Sequence, residues 1–179
     1  MTRLVVDGYN IIHAWPDLAQ SMRRESLEEA RRRLIVRLGE YRASTGSEVL
    51  IVFDARKRRR GSADREVVEG VEIRYGSVEA SADHVIERLM YEASRKGDVH
   101  DTVLATDDHL QRDLVSAMGV PTMSSQALRA EVERAETDRA GEMRRRADGP
   151  AAGGRIENRI DPDVRRRLEE MRRGGDIGR

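Results

Sequence analysis

Aspartate recurs in this 179-residue chain where short apolar runs end. Asp7 follows Leu4-Val5-Val6, Asp54 follows Val49-Leu50-Ile51-Val52-Phe53, Asp107 and Asp108 follow Thr102-Val103-Leu104-Ala105, and Asp83 stands in the first turn of an amphipathic stretch. Short apolar runs of this kind read as buried strands. In an open parallel sheet, ligands bind beyond the carboxyl ends of the strands, so four separate segments are expected to deliver carboxylates to one rim. Any one of these acids alone is explained by capping the helix that follows it. Together they repel one another, and the natural compensation is a hard divalent cation with oxygen ligands, Mg2+ or Mn2+. Such a centre polarises phosphoryl oxygens, positions a water and lowers its pKa, and with two ions also stabilises a leaving 3′-oxygen. That is the chemistry of phosphodiester cleavage.

Other residues could join this rim. Asn10 lies three residues after Asp7, where its amide either orients a water or phosphate or closes an Asx-turn. Glu87 shares a helix face with Asp83 and is either an outer ligand or a solvated helix acid. Arg56-Lys57-Arg58-Arg59-Arg60, the densest positive run, follows Asp54 almost directly. Read alone it is a solvated loop; beside an acidic pocket it would draw in an anionic polymer while a metal neutralises the carboxylates. His13, His84, His100 and His109 lack the spacing of a metal pair, so no zinc site is expected.

The elements that must position these groups alternate β-like and helical stretches, the pattern of an α/β domain with a largely parallel sheet. Expected strands are Arg3–Val6, Glu48–Phe53, Val71–Tyr75, Thr102–Ala105 and a short Val120–Met123. A helix opens at Ser26 with Glu29 completing a capping box, and it places Leu27, Ala30, Leu34, Leu38 and Tyr41 inward and arginines outward. A second runs from about Ala82 to Arg95 with Val85, Ile86, Leu89, Met90 and Ala93 inward. A third follows Asp108 with Leu110, Leu114 and Ala117 inward. A long polar helix from Gln126 to about Arg146 precedes Gly149-Pro150-Ala151-Ala152-Gly153-Gly154, which reads as a linker. Beyond it, Asp161 and Pro162 start a last helix that Gly174-Gly175 stop. The expected organisation is a domain over 1–147, a linker over 148–158 and a C-terminal basic helix and tail over 159–179.

Composition excludes several classes. There is no cysteine, hence no disulfide scaffold, thiolate metal site or Cys nucleophile. The apolar runs are too short to span a membrane, and a strand-like run almost at Met1 argues against a secretory signal. Charged residues make up 37% of the chain and cancel to a net charge of 0, yet residues 1–138 carry −4 and residues 139–179 carry +4. Of 33 basic residues only Lys57 and Lys96 are lysine, which leaves 31 arginines. Codon bias explains such a preference as readily as the bidentate phosphate contacts that arginine favours. Aromatics, 3% of the chain, are too scattered for the stacking surface of an RNA-recognition sheet or a single-strand-binding barrel.

The segments Leu4-Val5-Val6-Asp7-Gly8-Tyr9-Asn10-Ile11-Ile12-His13-Ala14-Trp15, Ile51-Val52-Phe53-Asp54-Ala55, Ser81-Ala82-Asp83-His84-Val85-Ile86-Glu87 and Leu104-Ala105-Thr106-Asp107-Asp108 resemble the YacP-like branch of the NYN domains, among the PIN-like nucleases. The resemblance covers about residues 1–173, since Arg159-Ile160-Asp161-Pro162 also looks like that branch. It implies a three-layer PIN-like α/β domain with a mainly parallel sheet of about five strands and a C-terminal helical extension. Asp7, Asn10, Asp83 and Asp108 would be catalytic; Asp7, Asp54, Asp83, Asp107 and Asp108 would hold Mg2+ or Mn2+, with Glu87 outside them. The family often reads Thr-Ser-Asp after the fourth strand, which aligns Asp108 with the family acid and makes Asp107 a replacement for Ser. The branch is similar to a bacterial ribosome-associated endoribonuclease. This implies a cytoplasmic, metal-dependent enzyme that cuts single-stranded or ribosome-engaged RNA, with messenger RNA on the ribosome as partner.

Rival readings fail on particular residues. A haloacid-dehalogenase-like phosphatase needs a second Asp where Tyr9 stands; a phosphoacceptor receiver needs a Lys after a late strand, which neither Lys57 nor Lys96 supplies; and a dinucleotide site needs a Gly-x-Gly-x-x-Gly of which Gly8 is the only member. The rival from another class is a noncatalytic RNA-binding or ribosome-docking module that keeps the pocket and leaves RNA intact.

Overall fold

Leu4-Val5-Val6 and Val49–Phe53 are apolar at every position, as strands covered on both faces must be. In the computed structural model, which describes residues 2–54, 65–77 and 81–148, these are β1 (Arg3–Asp7) and β2 (Glu48–Phe53) at the centre of the sheet. Around them the chain runs α1 (Gly8–Ala14), α2 (Pro16–Arg24), α3 (Leu27–Thr45), β3 (Arg65–Val68), β4 (Val71–Tyr75), α4 (Ala82–Lys96), β5 (Thr102–Ala105), α5 (His109–Ala117), β6 (Thr122–Met123) and α6 (Ser125–Asp148). The strand order is β3-β4-β2-β1-β5-β6. Every neighbouring pair is parallel except β3 with β4.

Alternation along the strands divides the core into two layers. Leu4, Val6, Ile51 and Phe53 face Ile11, Ile12, Leu18, Leu34, Leu38, Leu128 and Val132 from α1, α2, α3 and α6. Val5, Leu50, Val52 and Leu104 face Ile86, Leu89 and Met90 of α4 and Val115 of α5. The result is the three-layer α/β sandwich expected, with six strands among the described residues rather than about five. Compact units are residues Met1–Arg139 and Ala140–Arg179. The second contributes only the end of α6 to the described residues.

Three expectations are corrected, and one strand was not foreseen. Residues 8–24, with Asn10 placed in a turn, form two helices: Asp7 caps α1, and Pro16 opens α2 at a position where its missing N–H costs nothing. β3 and β4 form a hairpin turned by Glu69 (φ 51°) and Gly70 (φ 75°), the positive-φ pair of a type I′ turn. Arg31, expected on the solvent face of α3, is buried over the Tyr9 and Phe53 rings at 5.1 and 5.3 Å. On α5 the expected inward residues Leu110 and Leu114 are exposed, at 83% and 41%, as is Ala117; Gln111 and Val115 face inward instead. Asp108 fixes the start of that helix, and its rotation follows. The linker and the last helix lie outside the described residues.

Candidate active site

Parallel pairing of β1 with both β2 and β5 puts the ends of all three strands on one side of the sheet. Val6 stands beside Ile51 and Ala105. Asp7 closes β1 and caps α1, its Oδ1 accepting the Asn10 N–H at 3.2 Å. The next residue has to be glycine. A Cβ at Gly8 would stand 2.2 Å from Phe53 Cε1 and 2.9 Å from Ile51 Cγ2, so α1 starts in direct contact with β2 and the Asp7 backbone is fixed by that contact.

The Asp7 carboxyl is pushed up to about 6 from an ordinary 3.8. Burial is the largest cause; the Asn10 N–H opposes it, and the charges of Asp83 and Asp108 raise it further. Asp83 reaches this neighbourhood from the first turn of α4, where Ser81 caps the helix. Asp108 comes from the cap of α5, its Oδ1 accepting the Gln111 N–H at 3.1 Å. Three segments far apart in sequence thus share one electrostatic neighbourhood.

Asn10 is built into this rim. Its Oδ1 accepts the Asp107 N–H at 2.8 Å, which ties the start of α1 to the loop after β5. Asp107 itself is committed to Ser125 at the head of α6, accepting its N–H at 2.8 Å on Oδ1 and its hydroxyl on Oδ2. Of the two adjacent acids, it is therefore Asp108 whose charge reaches Asp7. Asp54 follows β2 on the same rim, half-buried. Glu87 is half-buried one turn beyond Asp83. The run Arg56, Lys57, Arg58, Arg59 and Arg60 lies outside the described residues.

Sequence reasoning missed Gln111, Thr106 and Ser125. Gln111 is buried and donates from Nε2 to Asp83 Oδ1 at 3.1 Å; the signal for it was the Asp108-x-x-Gln111 spacing of a capping box. Thr106 is buried and its Oγ1 accepts the Asp108 N–H at 3.2 Å. Scattered in sequence, Tyr9, Phe53 and Tyr75 gather in one core layer: Tyr9 meets Phe53 edge-on at 5.2 Å, and Phe53 stacks on Tyr75 at 6.0 Å.

The donor set is one of hard carboxylate oxygens, suited to Mg2+ or Mn2+. Among the described residues no three Asp, Glu or His side chains stand close enough together to enclose an ion. Mg2+ does not need such a cage, since it is commonly held through one or two carboxylates, keeps several waters and takes further ligands from substrate phosphates. Asp7, Asp83 and Asp108 fit that mode: the first is destabilised as an anion, and the other two are open to solvent.

Comparison with known proteins agrees with this architecture. The chain is 32% identical to the uncharacterized protein YacP of Bacillus subtilis (strain 168) over 175 residues, covering 97% of this chain and 98% of the relative. It superposes on the crystal structure of Rae1 (YacP) from Bacillus subtilis with a TM-score of 0.69 at 30% identity, covering 97% of this chain and 96% of that one. A substituted form of that protein gives the same TM-score at 29% identity, with 96% and 99% covered. No helix among the described residues is long and apolar enough to cross a membrane. The profile of the YacP-like NYN domain matches residues 4–173, and the chain belongs to that family.

Proposed function

We propose that the chain is a metal-dependent endoribonuclease that cuts single-stranded or ribosome-engaged RNA in the cytoplasm, with Mg2+ or Mn2+ bound through one or two of the carboxylates of Asp7, Asp83 and Asp108 and otherwise through water and substrate phosphate. The observation that carries this reading is the Asp7 carboxyl, held near pKa 6 by burial and by two neighbouring aspartates on the rim of a parallel sheet. Perturbed groups of this kind concentrate at functional sites. Kinship to the YacP-like NYN family supports a nuclease-like, RNA-related role.

When bound, a divalent cation supplies neutralisation of phosphoryl oxygens and a lowered pKa for water. The chain's own residues do the rest. Asp7 presents a carboxylate whose backbone is locked by Gly8 against Phe53. Asp83 and Asp108 bring further negative charge from α4 and the cap of α5. Asn10 holds the β5–α5 loop in place through the Asp107 N–H, and that bond keeps Asp108 beside Asp7. Asp54 and Glu87 extend the acidic rim, and the Arg56–Arg60 run supplies phosphate contacts along the RNA strand.

The test is incubation of the purified protein with single-stranded RNA and with translating ribosomes, in Mg2+ or Mn2+ and in EDTA. New 5′ ends that depend on metal and disappear in Asp83→Asn uphold the reading. RNA bound but left intact in every condition replaces it with a noncatalytic RNA-binding module.

A further inference from the structure

Asp83 sits in the first turn of α4, exposed, with nothing in its own helix to fix its rotamer. The hydrogen bond that restrains it comes from 28 residues away, from Gln111 Nε2 at 3.1 Å. Gln111 is only 6% exposed, and its Oε1 is buried without a hydrogen-bond partner among the described residues. A buried acceptor left in that state carries a desolvation cost.

A local arrangement would give that oxygen a donor. Asp108 and Gln111 have the spacing of a capping box, in which the Gln side chain turns back and accepts the N–H of the cap residue. Half of the box is present: Asp108 Oδ1 accepts the Gln111 N–H at 3.1 Å. The other half is not, because the Asp108 N–H donates to Thr106 Oγ1 at 3.2 Å and the Gln111 side chain crosses to α4. The chain therefore forgoes a bond that would satisfy Oε1 and keeps one that pairs Nε2 with the carboxylate of Asp83. Packing alone would be met by methionine or leucine at this depth, with no orphaned oxygen.

We propose that Gln111 is a positioning residue of the candidate site, holding Asp83 in its working orientation at the expense of helix stability. Through its main-chain N–H and its side-chain Nε2 it contacts both Asp108 and Asp83, so one buried residue touches both acids whose charges reach Asp7. The inference rests on reading Asp83 as a working carboxylate of the nuclease proposed above. Groups that orient metal-binding carboxylates typically cost 10–100-fold in activity or metal affinity when removed.

The test compares Gln111→Met, which keeps length and removes both amide atoms, with Gln111→Glu, which keeps an oxygen and loses the donor. With a fluorogenic single-stranded oligoribonucleotide, Gln111→Met is expected to lower kcat about 10–100-fold with KM within about twofold, while the metal-free Tm stays level or rises. Gln111→Glu is expected to lose kcat as well and to lower Tm, since it sets a second carboxylate against Asp83. Wild-type kcat in Gln111→Met, or Tm and kcat falling together with KM rising, overturns the proposal and leaves Gln111 a packing residue. If the wild-type protein cuts no RNA, the nuclease reading fails on its own. The role of Gln111 is then read from the Mn2+ dissociation constant: about tenfold weaker binding or more in Gln111→Met upholds it, and unchanged affinity overturns it.

Discussion

Replacing Asp7 by asparagine should make the metal-free protein more stable, and only above a definite pH. The carboxyl is raised from 3.8 to about 6 in the folded chain, a shift of about two units, and each unit corresponds to about 1.4 kcal/mol. In its ionised state Asp7 therefore costs the fold about 3 kcal/mol relative to the unfolded chain. The sign follows from proton binding. Between pH 4 and 6 the folded state holds a proton that the unfolded state has released, so stability is lost as pH rises through that window. Above about pH 7 the loss is complete, and below about pH 4 both states are protonated and no loss remains. Asparagine carries no charge at any of these pH values, and it still accepts the Asn10 N–H because it caps helices as well as aspartate does. In EDTA, the variant should melt on the order of 6–12 °C above wild type at pH 7.5, given 2–4 °C per kcal/mol for a chain of this size. That advantage should shrink to nothing near pH 4. Saturating Mg2+ should raise wild type and leave the variant unmoved, because only a folded state that binds the ion is stabilised by it. A variant less stable than wild type at pH 7.5, or an advantage that persists at pH 4, would refute the reasoning.

Other consequences are separable. Gly8→Ala drives a methyl into Phe53 and should cost about 1–3 kcal/mol by overpacking, read as a lower urea midpoint; an unchanged midpoint would mean that α1 does not start against β2. Asp108→Ser keeps a helix-capping oxygen and removes the charge, so cleavage should be lost with Tm nearly unchanged. Asp107→Asn should do the reverse, weakening the head of α6 while cleavage persists, and equal losses of cleavage in the two variants would contradict the assignment of Asp108. Replacing Arg56, Lys57, Arg58, Arg59 and Arg60 with serine should weaken RNA binding and flatten its salt dependence by a log-log slope of roughly 0.7 per lost phosphate contact; affinity and slope like those of wild type would make the run a solvated bystander.

How much of this was legible depended on whether burial left a periodic mark. β2, β4 and β5 carry continuous or alternating apolar runs, and their ends match the structure at Glu48–Phe53, Val71–Tyr75 and Thr102–Ala105. α3 announced itself through Ser26, whose Oγ accepts the Glu29 N–H at 3.0 Å. β3 left no mark because it is an edge strand with Val67 and Val68 exposed; its place is set by the Glu69-Gly70 turn and its hydrogen bonds to β4. α5 misled because its most apolar face, with Leu110 and Leu114, points to solvent, while the Asp108 cap turns a glutamine inward.

That Asp7 and the β5 loop end on one edge of the sheet was readable from the strand ends, since parallel pairing leaves them no other place. Which of Asp107 and Asp108 faces Asp7 was not. One residue of register separates them, and the decision belongs to Ser125, whose N–H and hydroxyl take up Asp107 from 18 residues away. Contacts of that range have no periodicity in sequence. For the same reason the bond from Gln111 to Asp83 became visible only once α4 and α5 lay side by side.

The most direct measurement of the central claim is the mapping of 5′ ends after incubation of wild-type and Asp7→Asn protein with single-stranded RNA and translating ribosomes, in Mg2+ and in EDTA. The account predicts discrete new ends with wild type and Mg2+, none in EDTA, and none with Asp7→Asn although that protein is folded and binds RNA. Ends that form equally in EDTA, or with Asp7→Asn at the wild-type rate, would contradict it.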